Sequence, residues 1–125
     1  MLKVLFVGIG GFLGSIAMYC ASGLVHRIFD KPWFPIGTLV VNVLGCFIIG
    51  ILGGLVEKRQ LFSPEFRLFI FIGFLGGFTT FSTFGFEIIT FARDGELFSA
   101  LTNLVLHIVL GIGAVWLGFS LSKML

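Results

Sequence analysis

Four long apolar stretches dominate the sequence and restrict what the chain can fold into. They occupy residues 4–25, 36–56, 68–86 and 97–122, and none contains Asp, Glu, Lys or Arg. Each is close to the ~20 residues that a helix needs to cross the hydrocarbon core of a bilayer. Backbone polar groups must be paired inside lipid, so such stretches cross as helices. The sequence therefore predicts an all-α membrane protein with four transmembrane helices.

The composition supports a single transmembrane domain covering residues 1–125. Hydrophobic residues make up 58% of the chain and charged residues 11%, against roughly 25% charged residues in soluble domains. A soluble domain of this size could not bury so much apolar surface. The first stretch has no small-residue cleavage site and is interpreted as a retained helix, not a signal peptide. The predicted helices span about 3–26, 36–56, 65–92 and 97–123.

The charges and reactive side chains exclude several classes of function. The net charge is only +2 and there is no basic run, so we expect membrane lipid around the chain and no nucleic-acid partner. No Ser-His-Asp, Cys-His or metal-ligand arrangement is present, and the chain is predicted not to be an enzyme. Cys20 and Cys46 lie in apolar stretches and are interpreted as packing residues.

Glycine pairs with a spacing of four residues fall in three of the predicted helices. This spacing lets helix backbones touch in lipid, so it favours tight helix packing, including self-association. The pairs are Gly10 and Gly14, Gly50 and Gly54, and Gly73 and Gly77.

The distribution of Lys and Arg favours no single orientation strongly. Five of the eight lie at the termini and in the second loop, and three lie in the first and third loops. A five-to-three bias is weak under the positive-inside rule, so it permits an antiparallel dimer. Four helices also make a bundle too thin to enclose an aqueous path, and transport would need at least two copies.

The third stretch combines two adjacent glycines with four hydroxyl residues, within Gly76–Thr83. Both residue types weaken a helix, because hydroxyls compete for backbone partners. A break in this helix would expose carbonyl oxygens at mid-membrane depth, which is typical of ion sites. The alternative is an unbroken helix whose Ser and Thr side chains bond back to their own turn. These residues alone do not decide between the two.

The segment from Gly76 to Phe84, Gly-Gly-Phe-Thr-Thr-Phe-Ser-Thr-Phe, resembles the signature of the CrcB/Fluc family of fluoride channels. Gly37–Asn42 and Gly10–Gly14 resemble two further motifs of that family, and the resemblance covers essentially the whole chain. It implies a fluoride-selective channel that exports F⁻ passively across a bacterial-type inner (plasma) membrane. It also implies an antiparallel, dual-topology homodimer with two pores and a third helix broken near 76–83.

The resemblance further implies roles for individual residues. Backbone carbonyls of Gly77 and Thr80 would hold a structural Na⁺ at the dimer centre. The implied fluoride pore residues are Asn42, Phe81, Ser82, Thr83, Phe84 and Glu87.

The chemistry of these side chains suits fluoride, which needs donors to replace its water. The Asn42 amide and the Ser82 and Thr83 hydroxyls are such donors, although a single buried Asn or Ser more commonly links helices. Asn103 and His107 lie four residues apart on the fourth helix, so they face the same way and would extend the polar track.

One position departs from the family pattern, and two other functions stay open. Met18 stands where family members usually carry an arginine, so conduction would be slower or would rely on another cation.

The alternative function is a small multidrug-resistance-type, dual-topology exporter. That class relies on a glutamate near the middle of its first helix, and the stretch 4–25 has none. A structural subunit of a larger complex is not excluded by the residues.

Overall fold

The computed structural model describes residues 1–30, 33–59 and 61–125, and all its regular elements in these ranges are helical. The elements are α1 (Leu2–Phe29), α2 (Ile36–Arg59), α3 (Pro64–Arg67), a π-helical segment (Leu68–Leu75), α4 (Gly76–Phe78), α5 (Phe81–Arg93) and α6 (Leu97–Ser122). The segment Pro64–Arg93 forms one interrupted span, called here the third span. Within these ranges, four segments are long and apolar enough to cross a membrane. The prediction of four transmembrane helices is confirmed, and the chain is a multi-pass membrane protein.

The third span begins where the sequence provides a helix cap and is interrupted where glycine and hydroxyl residues meet. Ser63 Oγ accepts a hydrogen bond from the Phe66 N–H at 3.2 Å, and Pro64 occupies the first helical position, which needs no backbone donor. Thr79 (φ −99°, ψ 156°) and Thr80 (φ −148°, ψ 111°) are extended. The break predicted near 76–83 is therefore confirmed, and it is confined to two residues.

Glycines bring α1 and the third span into backbone contact. A side chain added at Gly10 would collide with the Phe69 carbonyl oxygen, and one at Gly14 with the carbonyl of Phe74. On the opposite helix, a Cβ at Gly73 would lie 2.8 Å from the carbonyl oxygen of Val7. Only residues without a side chain allow this approach, which maximises van der Waals contact in lipid.

Glycines also bring α2 and α6 into backbone contact. A Cβ at Gly50 would meet the Val115 carbonyl oxygen, and one at Gly118 would meet that of Phe47. Gly54 lies against the buried Ser122 side chain. The predicted tight packing is confirmed, because all three glycine pairs contact other helices of the same chain. The structure therefore assigns these glycine pairs to packing within one chain.

The first half of the third span is wider than a regular α-helix. Leu68–Leu75 is π-helical, a geometry that inserts an extra residue into a turn and often lies near functional sites. The sequence does not predict this geometry, because these eight residues include no Pro or polar residue that would mark it. Gly73 and Leu75 are buried in this segment, which continues directly into Gly76–Phe78 and the break.

Candidate functional site

One side chain pairs with the backbone at the break in the third span. The Thr80 N–H donates to Asn42 Oδ1 at 2.8 Å, and Asn42 Nδ2 donates to the Thr80 carbonyl at 3.1 Å. In a continuous helix the Thr80 N–H would bond the carbonyl of Gly76. Asn42 of α2 therefore replaces the missing helical partner and satisfies both backbone groups of one extended residue.

A cluster of hydroxyls surrounds the start of α5. Thr80 Oγ1 accepts from the Thr83 N–H at 3.3 Å and caps the helix. The same oxygen lies 2.9 Å from Thr83 Oγ1 and 3.4 Å from Ser82 Oγ. Thr79 Oγ1 instead donates back to the Leu75 carbonyl at 2.9 Å. The hydroxyls of Ser82 and Thr83 therefore lie together, with Thr80 as a third member of the cluster.

The two predicted pore phenylalanines are in contact but have different surroundings. Phe81 and Phe84 have ring centroids 5.6 Å apart. Phe84 is buried and lies against the His107 ring, with 4.2 Å between centroids. Phe81 is 83% exposed in the single chain. With Asn42 and Thr80, these three rings line a groove of about 450 Å³ beside the break.

A second polar network joins α5 to α2 and α6. Glu87 Oε1 accepts from the Thr38 hydroxyl at 2.5 Å, and Oε2 accepts from Asn103 Nδ2 at 3.3 Å. His107 Nδ1 lies 3.0 Å from the Asn103 carbonyl oxygen. Because a carbonyl only accepts, Nδ1 carries the hydrogen of this bond. The structure therefore brings Glu87, Asn103 and His107 together, a grouping that the sequence did not predict.

Two buried atoms of this network have no hydrogen-bond partner among the described residues. They are Asn103 Oδ1 and His107 Nε2. Asn103 itself has 0% of its surface exposed. Buried polar atoms are paired in the large majority of cases, so each exception asks for an explanation.

The backbone carbonyls of Gly77 and Thr80, which the resemblance assigns to Na⁺, lie at the break. Among the described backbone hydrogen bonds outside the helices, none reaches the Gly77 carbonyl. The Thr80 carbonyl accepts from Asn42 Nδ2, and as the N-cap of α5 it also accepts the first bond of that helix. Oxygen donors of this kind fit a hard cation. Gly77 is also packed closely, since a Cβ there would lie 2.6 Å from the Gly11 carbonyl oxygen.

A larger cavity lies between α1, α2 and the start of α5. Its volume is about 710 Å³, and Thr38, Thr80 and Thr83 form part of its wall. Met18 and Arg27 of α1 line the same cavity. Met18, where the resemblance leads us to expect an arginine, therefore faces a cavity that Arg27 also lines.

Thr38 is a site residue that was not predicted from the sequence. It lies within the segment that resembles the second family motif, but its partner Glu87 is 49 residues away. Nothing in the local sequence indicates that pairing. The available signal was its spacing, because Thr38 and Asn42 are four residues apart and share one face of α2.

Comparison with known proteins agrees with this architecture. Residues 5–119 match the family described as CrcB-like protein, Camphor Resistance (CrcB). A protein of Methylobacillus flagellatus named fluoride-specific ion channel FluC is 45% identical over 125 residues, covering 99% of this chain and 97% of the relative. Proteins of the same name from Chlorobium luteolum (48% identical, 98% and 93% covered) and Geobacter sulfurreducens (40%, 100% of both) are also similar. Because residues 5–119 match this family and the relatives are similar over nearly their full length, the chain belongs to the CrcB family.

Proposed function

We propose that this protein is a fluoride-selective channel that lets F⁻ leave the cell passively through the bacterial plasma membrane. The relatives that match its whole length are named fluoride-specific ion channels. The observation that carries the proposal is the broken third span, at which amide, hydroxyl and aromatic groups converge on one groove. This is channel activity and involves no catalysed reaction.

The donors at the break offer a path on which fluoride exchanges water for protein. Fluoride in low dielectric needs hydrogen-bond donors, because an unpaired ion there is costly. Asn42 uses one of its two Nδ2 hydrogens on Thr80, and the other is available to an anion. The exposed Ser82 and Thr83 hydroxyls can rotate toward the same anion. The ring edges of Phe81 and Phe84 carry partial positive charge and provide the next contacts.

We propose that the working unit is an antiparallel, dual-topology homodimer with two pores. One chain provides only one wall of the path, since Phe81 is 83% exposed beside the groove. A second copy would cover this ring and close the path. The five-to-three distribution of Lys and Arg allows the two copies to insert in opposite orientations.

A structural Na⁺ at the dimer centre is part of the same proposal. The Gly77 and Thr80 carbonyls of two chains would supply four oxygens, and a bound Na⁺ would add a positive charge near the anion path. The test is thermal denaturation of the purified dimer in Na⁺ and in N-methylglucamine. We expect a higher midpoint in Na⁺, and equal midpoints would contradict this ion site.

Arg27 is the residue that we propose compensates for Met18. Both line the cavity of about 710 Å³ that opens toward the Thr80 and Thr83 hydroxyls. A guanidinium group keeps its charge at all working pH values and raises the local anion concentration. Arg27→Gln should lower the fluoride flux, with Arg93→Gln, at the exposed end of α5, as the matched control.

The proposed channel is tested by anion efflux from liposomes that contain the purified protein. Fluoride and chloride are compared, with valinomycin carrying potassium to balance the charge. Rapid fluoride loss with chloride retained is the expected outcome. If neither ion moves in the wild type or in Met18→Arg, the channel proposal is wrong.

A further inference from the structure

Gly45 of α2 faces the break in the third span from the same side as Asn42. The two residues are three apart, so they share one face of the helix. Both line the groove of about 450 Å³, together with Thr79 and Thr80. Asn42 pairs with the backbone of Thr80, and Gly45 lies against the other extended residue, Thr79. Helix α2 therefore contacts both residues of the break.

The space that a side chain would need at Gly45 is filled by the methyl group of Thr79. A Cβ added at Gly45 would collide with Thr79 Cγ2. Its next neighbours would be Phe78 Cδ1 at 3.5 Å and Thr79 Cβ at 3.7 Å, which are ordinary van der Waals contacts. One methyl group therefore decides whether a residue larger than glycine fits at this position.

Thr79 cannot turn away from such a side chain without losing a hydrogen bond. Its hydroxyl donates to the Leu75 carbonyl at 2.9 Å. A β-branched side chain has only three staggered positions about χ1. One of the two other rotamers turns the hydroxyl toward Gly45, and the second moves the methyl group to the place of the hydroxyl, against the Leu75 carbonyl. The collision would therefore be relieved by a movement of the backbone at the break.

We propose that Gly45 is a positioning residue, which sets the distance between α2 and the break and so keeps Thr80 within reach of Asn42. This inference rests on the proposed channel function. The two bonds between Asn42 and Thr80 are 2.8 and 3.1 Å long. Restoring van der Waals distance at Gly45 needs a shift on the order of 1 Å, and hydrogen bonds stretched by that amount are lost. Gly45 thus acts on the ion path through Thr79 and Thr80.

The test compares wild type, Gly45→Ala, Thr79→Ser and the double variant. Fluoride efflux from liposomes and thermal denaturation are measured on each preparation. In Gly45→Ala the efflux should fall about tenfold, because the Asn42–Thr80 bonds are lost. Thr79→Ser keeps the hydroxyl that bonds to Leu75 and should lose little efflux. The double variant should regain most of the efflux, because serine has no methyl group to meet the added Cβ.

Two further variants separate this role from the general effects of an added methyl group. Gly53→Ala, also on α2, has nothing within 4 Å of its added Cβ, so efflux and denaturation midpoint should stay at their wild-type values. Gly10→Ala overpacks the half of the third span before the break. It should lower the midpoint with a smaller loss of efflux than Gly45→Ala, because it leaves the Asn42–Thr80 pairing in place.

The double variant decides between this inference and a simple obstruction. If Thr79→Ser does not restore efflux to Gly45→Ala, the added methyl group acts by narrowing the groove, and the inference is wrong. Unchanged efflux in Gly45→Ala would also overturn it. If Gly45→Ala does not fold, a folded and conducting double variant supports the inference, and an unfolded one contradicts it.

The denaturation midpoints keep this test separate from that of the channel function. Wild-type protein that moves no fluoride would contradict the channel function. In that case a midpoint lowered in Gly45→Ala and restored in the double variant would still support the contact between Gly45 and Thr79. Midpoint changes that simply add in the double variant would overturn it.

Discussion

The two halves of the third span are held in place by different forces. The half before the break, Pro64–Phe78, lies on α1 through backbone contacts at glycines such as Gly10 and Gly73. The half after it, Phe81–Arg93, is held by side-chain hydrogen bonds from α2 and α6 to Glu87, and by the Asn42 pairing at the break. Close packing fixes the backbone before the break, and directional hydrogen bonds fix the polar groups after it. The groups proposed to meet the ion are therefore held by a few hydrogen bonds.

The largest effect on function should come from removing the link across the break. Asn42→Leu keeps the size of the side chain but loses both bonds to Thr80. Each unpaired backbone group costs about 1–3 kcal/mol, so the break should shift and fluoride efflux should fall by about tenfold or more. Efflux and thermal denaturation are measured on the same preparation. Unchanged efflux would show that the Asn42–Thr80 pairing does not position the path.

A substitution on the packed half should reduce stability more than it reduces selectivity. In Gly10→Ala the added Cβ would meet the Phe69 carbonyl oxygen and lie 2.9 Å from the Phe74 nitrogen. Such overpacking costs typically about 1–3 kcal/mol, and the denaturation midpoint should fall. Gly8→Ala is the matched control on the same helix, because nothing lies within 4 Å of its added Cβ. Equal midpoints for the two variants would contradict the close approach of α1 and the third span.

The smallest effect is expected at the cap of α5. Thr80→Val removes the hydroxyl that accepts from the Thr83 N–H and contacts Thr83 Oγ1. Losing a cap costs typically about 1 kcal/mol, so a modest fall in both midpoint and efflux is expected. Thr80→Ser keeps the hydroxyl and should behave like the wild type. A serine variant as impaired as the valine variant would assign the effect to the methyl group.

Residues whose partners are close in sequence, or whose type is unusual in a membrane, were predictable. The uncharged stretches predicted the spans, and the resemblance of Gly76–Phe84 to the family signature predicted the break that its residues alone left open. The fluoride role of Asn42 stays a prediction. Its pairing with Thr80, which replaces a helical bond, was not predicted, because it depends on how two helices lie together.

What could not be predicted depends on contacts between distant segments. The π-helical turns of Leu68–Leu75 have no local marker, and they lie where Gly10, Gly14 and Gly73 bring two backbones together. The Thr38–Glu87 hydrogen bond joins two different helices, and no spacing within the sequence relates the two residues. The roles of the pore residues and of the Na⁺ carbonyls remain predictions until flux and ion dependence are measured.

The pairing between Asn42 and Thr80 also has a consequence for biosynthesis. A span with an interrupted helix is poorly tolerated by lipid until its freed backbone groups find partners. The side chain that supplies those partners belongs to α2, which leaves the ribosome before the third span does. The chain is therefore ordered so that the stabilising group is already in the membrane when the interrupted segment arrives. A circular permutant that delivers α2 last would have to insert the break unprotected, and we expect it to insert less efficiently.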